Sequence, residues 1–196
     1  MASCEWRVSS LLATNHPSLA TPQSPSTNRP NTAAEPVPDD TSVRQQIART
    51  LDWEDAHAGF DSAVKGLAPA LRGRVPAGLP YSAWQIVEHI RRTQADILEF
   101  CQAPRYEEKA WPKDYWPDGP EPPSAAAWDE SIAAFRRDRA AMAALTVDRK
   151  TDLVARVPNG DGQTYLREVL LVADHTAYHV GELVVLRRLL GAWPAT

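Results

Sequence analysis

The sequence predicts an all-α fold, a four-helix bundle preceded by a disordered tail. Three observations carry this reading. From Thr41 onward apolar residues recur at helical spacing in four long segments. Of 17 prolines in 196 residues, six fall in residues 1–40 and six more between Pro104 and Pro123. No glycine precedes Gly59. Proline neither continues a helix nor donates to a strand ladder, so both dense stretches are irregular and the long elements lie outside them.

Residues 1–41 form the expected tail and residues 42–196 the expected bundle. Residues 1–40 hold six Ser, four Thr, three Asn and six Pro with almost no aliphatic run. Such a segment buries too little apolar surface to offset the entropy of ordering it. Leu11-Leu12-Ala13 is too short an apolar core for a signal peptide, and no run approaches the ~18 apolar residues of a membrane span. The chain carries −4 and the tail, with two basic and four acidic residues, accounts for −2 of it, leaving −2 on the body. That balance favours neither nucleic acid nor an anionic membrane as partner. Two cysteines, Cys4 and Cys101, give no disulfide framework, so a reducing, cytoplasmic setting is expected.

The first helix is expected from Thr41, with Val43, Ile47 and Leu51 four residues apart. Trp53, Phe60, Val64 and Leu67 extend the pattern, with a kink or break near Asp52. The second starts at Ser82, where Gln85 three residues on completes a capping box, and Pro104 stops it. Trp84, Val87, Ile90, Ile97, Leu98 and Cys101 supply its apolar positions. The third follows Pro122-Pro123 with Ser124 as cap and Trp128, Ile132, Phe135, Met142 and Leu145 at helical spacing. The fourth runs from Tyr165 to Leu190, with Gly191 where a left-handed cap is wanted and Pro194 beyond. Between the third and fourth lies a turn, Val157–Thr164, preceded by a short extended piece at Leu153–Val157 that makes no sheet. Four amphipathic helices joined by loops make a bundle the economical fold.

Four of the five histidines, His57, His89, His175 and His179, fall on these expected helices. His175-Thr-Ala-Tyr-His179 places two imidazoles one turn apart inside an apolar stripe, where they can close on one ion or serve as hydrogen-bonded core residues. His89, between Val87 and Ile90, becomes a third ligand if the bundle brings the second and fourth helices together. Three imidazoles leave open positions on a divalent ion, the arrangement of reactive sites, and neutral imidazole suits Zn, Ni, Cu or Fe. Glu182, three residues after His179, is either a hydrogen-bond acceptor for a ligand imidazole or a half-exposed helix carboxylate. His57 is read as a pocket acid/base or substrate contact, against an ordinary surface residue. Trp84, Trp111, Tyr115 and Trp116 either wall a cleft or belong to the core. Cys101 lies about 18 Å along the helix from His89, too far to share an ion.

Ala173-Asp-His-Thr-Ala-Tyr-His-Val-Gly-Glu-Leu-Val-Val-Leu-Arg-Arg-Leu-Leu-Gly191 resembles the last helix of the DinB/YfiT-like superfamily. Ser82-Ala-Trp-Gln-Ile-Val-Glu-His89-Ile resembles its second helix, and the similarity spans about residues 43–194 with Trp111-Pro-Lys-Asp-Tyr-Trp-Pro117 and Asn159-Gly-Asp-Gly-Gln-Thr164. Members are four-helix bundles that bind a divalent metal through one histidine of the second helix and two of the fourth. The resemblance implies His89, His175 and His179 as ligands of Zn, Ni, Fe or Mn. Glu182 stands where many members have Gln. It further implies a small-molecule substrate, with a low-molecular-weight thiol for a transferase or water for a hydrolase, and a homodimer. The alternative expectation is a non-catalytic bundle in which the ion staples the helices.

Overall fold

The computed structural model describes residues 40–194. The expected tail lies outside the described residues except for Asp40 and Thr41, which open the first helix. The regular elements of the described chain are helical: α1 (Asp40–Arg49), a 3-10 turn (Thr50–Asp52), α2 (Phe60–Val64), α3 (Pro69–Arg72), α4 (Ala83–Gln102), α5 (Ala127–Val147) and α6 (Tyr165–Leu189). The all-α bundle expected from the sequence is the fold that forms. Its first position is shared by α1, α2 and α3 rather than filled by one long helix.

The break falls at Asp52, as expected, but the faces differ from the periodicity. Val43 is 45% and Trp53 48% exposed, although both extend the apolar pattern. The buried residue of α1 is instead Arg44. Its guanidinium pairs with Asp40 at 2.6 Å and donates to the carbonyls of Thr146 and Asp148, both at 3.2 Å. Those carbonyls end α5 and have no partner within that helix, so a cation there both saturates them and complements the helix dipole. Docking through one arginine leaves the valine outside.

The ends of α4 and α6 behave as their sequences require. Ser82 and Gln85 form the reciprocal capping box, and the Ser82 hydroxyl also donates to the Pro120 carbonyl at 2.5 Å. At α5 the expected cap is displaced: the N-cap is Ala126, which has no side chain to cap with, and Ser124 two residues earlier accepts from the Ala127 amide. Thr164 caps α6 by accepting from the Arg167 amide. At the far end Gly191 adopts φ +67°, a left-handed conformation natural to glycine. The Ala192 and Gly191 amides then return to the carbonyls of Arg187 and Arg188, which closes a Schellman motif. The extended piece before α6 is one isolated bridge, Arg156 with Thr164.

One dry core joins the helices. Trp84, Ile86, Val87 and Ile90 of α4 meet Trp128, Ile132 and Phe135 of α5, and Val180, Leu183 and Leu186 of α6. Phe60 of α2 stacks on Phe135 with centroids 3.9 Å apart. Among the described residues α6 is the helix long and apolar enough to cross a membrane by length and composition, with mean hydropathy 1.3 over its most apolar window. It is the central helix here, and it buries Glu168, His175, His179 and Arg187 along with its aliphatic residues.

Candidate metal centre

The apolar packing of α4 on α6 sets three histidines face to face. His89 lies in the second turn of α4, and His175 and His179 lie one turn apart on α6. All three are buried, and one ligand nitrogen from each lies within 4.8 Å of the others. His89 Nε2 and His175 Nε2 are 3.1 Å apart. Two nitrogens held at ~2.0–2.1 Å from one tetrahedral ion stand about 3.3 Å from each other. The pair therefore has the separation that shared coordination requires.

The outer ring nitrogens fix which atoms face inward. His89 Nδ1 lies 3.1 Å from the Tyr115 carbonyl, which can only accept, so Nδ1 carries the proton and Nε2 a lone pair. His179 Nδ1 donates to Glu182 Oε2 at 2.7 Å, a bond that in the neutral ring leaves Nε2 as the lone pair. Without an ion, His175 donates from Nε2 to His89. Moving that proton to Nδ1 turns the group into three convergent lone pairs with no change of net charge. Burial is the main force holding His89 down to about 4, with repulsion from the neighbouring His179 ring adding to it and the Tyr115 carbonyl and Glu182 opposing it. Burial, followed by His179 and His89, holds His175 at about 2. Both rings are thus neutral and able to ligate at neutral pH. The donor set, its spacing and the neutral state of His89 and His175 fit a divalent ion.

A strap between α4 and α5 supports the site. Trp116 lies parallel over His89, with centroids 4.0 Å apart and planes inclined by 6°. Trp111 meets the same imidazole edge-on at 6.2 Å, and Tyr81 stacks on the outer face of Trp116 at 4.1 Å. Trp111 and Trp116 therefore flank the cluster. Tyr115 is buried between them, and its hydroxyl donates to Asp96 at 2.6 Å. Tyr106 also donates to Asp96, at 3.0 Å. Arg92 donates to the Trp116 carbonyl at 2.9 Å while paired with Glu88. Asn159, from the Asn-Gly-Asp-Gly turn, donates to the Phe100 and Ala103 carbonyls at the end of α4 and accepts from the Tyr106 amide.

Two expected pocket residues stand apart from the histidines. Trp84 is buried in the core cluster. His57 lies not on a helix but in the irregular stretch after the 3-10 turn, exposed, with Nδ1 3.0 Å from the Ala58 carbonyl. It lines a different hollow, of about 260 Å³, with Leu51, Leu170 and Thr176. Cys101 is buried and its thiol is pushed up to about 12, first by burial and then by Glu168. Asp96 is the supporting residue that the sequence reading missed. It stands seven residues after His89, two helical turns along the same buried face, and an acid in that register is the signal that was available.

Residues 52–183 match the DinB superfamily, a span of about two thirds of the chain that includes His89, His175, His179 and Glu182. Neither the curated proteins nor the solved structures provide a match. The three convergent imidazoles thus lie within the matched span, on helices α4 and α6, and this chain belongs to the DinB superfamily.

Proposed function

We propose that the protein is a metal-dependent enzyme acting on a small molecule, a thiol transferase or a hydrolase, with His89, His175 and His179 as the ligands. The observation that carries this reading is the convergence of three buried imidazole nitrogens whose outer nitrogens, at His89 and His179, are already committed to Tyr115 and Glu182. A divalent ion supplies Lewis acidity there, lowering the pKa of a thiol or water so that it attacks as thiolate or hydroxide. The chain's own residues orient and exclude. Tyr115 and Glu182 hold two imidazoles in register, Trp116 covers one face of His89, and the core beneath keeps water from the ligand nitrogens. Three protein ligands rather than four leave a position for substrate, which favours a reactive over a structural ion.

The reading extends to a reducing, cytoplasmic compartment, where a low-molecular-weight thiol is abundant and Cys101 stays reduced. It is tested by elemental analysis of native protein followed by a thiol-transfer and hydrolysis screen with and without the ion. The expected result is about one divalent ion per chain and turnover that a chelator abolishes. Native protein without an ion, and with no response to added Zn, Ni, Fe or Mn, would overturn it.

A further inference from the structure

Beside the histidines lies a hollow that the metal reading does not use. It has a volume of about 300 Å³ and is walled by Leu79, Tyr81, Ile86, Gly181, Glu182 and Val185. One of these walls contacts a candidate ligand and a second contacts the tryptophan stacked on another. Glu182 accepts from His179 Nδ1, and Tyr81 stacks on the tryptophan that covers His89. Apart from that carboxylate and the Tyr81 hydroxyl the side chains are apolar. The volume is about twice the roughly 150 Å³ that admits benzene in a dry protein cavity. It reaches the lower end of small-molecule sites, which begin at roughly 300 Å³.

Gly181 is the informative residue. It sits in the middle of α6 between His179 and Glu182, where glycine weakens a helix relative to alanine. Its backbone is not among the positive-φ glycines, and a Cβ built on it meets nothing within 4 Å beyond its own stretch of helix. Neither conformation nor close packing calls for glycine at this position. Gly181 is exposed and lines the hollow, so the missing side chain leaves open space at its wall.

We propose that this hollow is the apolar subsite of the metal centre, taking an uncharged alkyl or aryl group on a small molecule whose reactive end lies at Glu182 and His179. The proposal rests on the metal reading above for the word subsite, but not for the binding of an apolar group. The substrate class follows: a compound with a compact apolar group a few bonds from a thiol, or from the atom that a thiol or water attacks. A polar or charged group in that position would be desolvated against Leu79, Ile86 and Val185, with the Glu182 carboxylate and the Tyr81 hydroxyl to meet it.

The test uses the full chain, as wild type, Gly181→Ala and Gly181→Leu. Toluene binding to metal-free protein, followed by NMR, reads the hollow alone. Wild type should saturate, Gly181→Ala should bind several-fold more weakly, and Gly181→Leu roughly tenfold or more weakly, as steric filling of an apolar pocket requires. Both variants should melt no lower than wild type, and the alanine variant keeps the test open if leucine is not tolerated. Benzyl mercaptan and 2-mercaptoethanol are then compared on cobalt-loaded protein through thiolate-to-cobalt absorption. The aryl thiol should bind roughly tenfold tighter, and Gly181→Leu should erase that preference. Absence of toluene binding, equal binding in Gly181→Leu, or a second copy of the chain covering the hollow in sedimentation would overturn the proposal. So would equal affinity for the two thiols on the metal-loaded protein. Toluene binding with no ion bound under any condition would sink the metal reading and leave the hollow standing.

Discussion

Tyr115 donates its phenol proton to Asp96 at 2.6 Å, and this bond aims a backbone carbonyl rather than a side chain. The Tyr115 carbonyl takes the proton of His89 Nδ1, so anchoring the phenol fixes the strap where it orients a ligand imidazole. Burial raises the Asp96 carboxyl while the two tyrosines pull it down, and the tyrosine hydroxyls are both pushed up, so neither phenol ionises near neutrality. Tyr115→Phe keeps the carbonyl and removes only the anchor. It should weaken divalent-ion affinity roughly tenfold, the lower end for groups that orient metal ligands, with little loss in melting temperature. Asp96→Asn, which still offers an oxygen to the phenol, should recover most of the affinity that Asp96→Ala loses. Isothermal titration with Zn alongside thermal melts separates the two effects, and unchanged affinity in Tyr115→Phe would count against the anchor.

Glu182 plays the corresponding part for His179. Glu182→Gln keeps an oxygen for the Nδ1 proton and should cost only a few-fold in ion affinity, whereas Glu182→Leu leaves that proton without its acceptor. The leucine variant should bind the ion roughly 10–100-fold more weakly. Equal affinities for glutamine, leucine and wild type would show that the bond does not orient the ring.

Glu88 sets an acid limit on stability. Burial alone would raise its carboxyl, but hydrogen bonds from Arg91, Ser131 and Arg92 prevail and hold it at about 2, against 4.5 unperturbed. A carboxyl depressed on folding contributes stability that is fully present above its unfolded pKa and lost as pH falls through the folded one. The window here is therefore pH 4.5 down to about 2. The difference corresponds to about 3 kcal/mol. Denaturant unfolding of wild type and Glu88→Gln should show a gap of that order at pH 6 that narrows steadily below pH 4.5. A gap independent of pH would refute the assignment.

A structural ion and a reactive one predict different metal-free proteins. The core of Ile86, Val87 and Ile90 against Val180, Leu183 and Leu186 closes α4 on α6 without the histidines. Metal-free protein should therefore unfold cooperatively, and His175→Ala should lose the ion yet keep its helical circular dichroism. Adding ion should stabilise wild type only by mass action, about 2.7 kcal/mol at a hundredfold excess over Kd. An unfolded metal-free chain would establish the staple instead.

Local signals were the legible part of this fold. Ser82 with Gln85, and Gly191 before Pro194, act within a few residues of themselves, so the sequence states them directly. His175 and His179 belong to the same class, because one helical turn fixes their relation. His89 needed the bundle to bring two helices together, and the family resemblance carried that step. Val43 and Trp53 misled because periodicity reports an apolar stripe but not whether a short helix turns it inward. Arg44, seated on the end of α5, decided that for α1. Asp96 was overlooked because its partners, Tyr106 and Tyr115, come from a proline-rich strap whose path depends on distant hydrogen bonds.

The stack of Trp116 on His89 makes the site self-reporting. Among the described residues it is the tryptophan lying face to face with a candidate ligand, so an ion arriving at His89 alters the surroundings of one fluorophore at contact distance. Cobalt, nickel or copper would dim its emission and zinc would shift it, and Trp116→Phe would remove the larger part of the response, leaving that of Trp111 at 6.2 Å. Occupancy can thus be followed optically in the unlabelled chain, and metals compared, before any substrate is known.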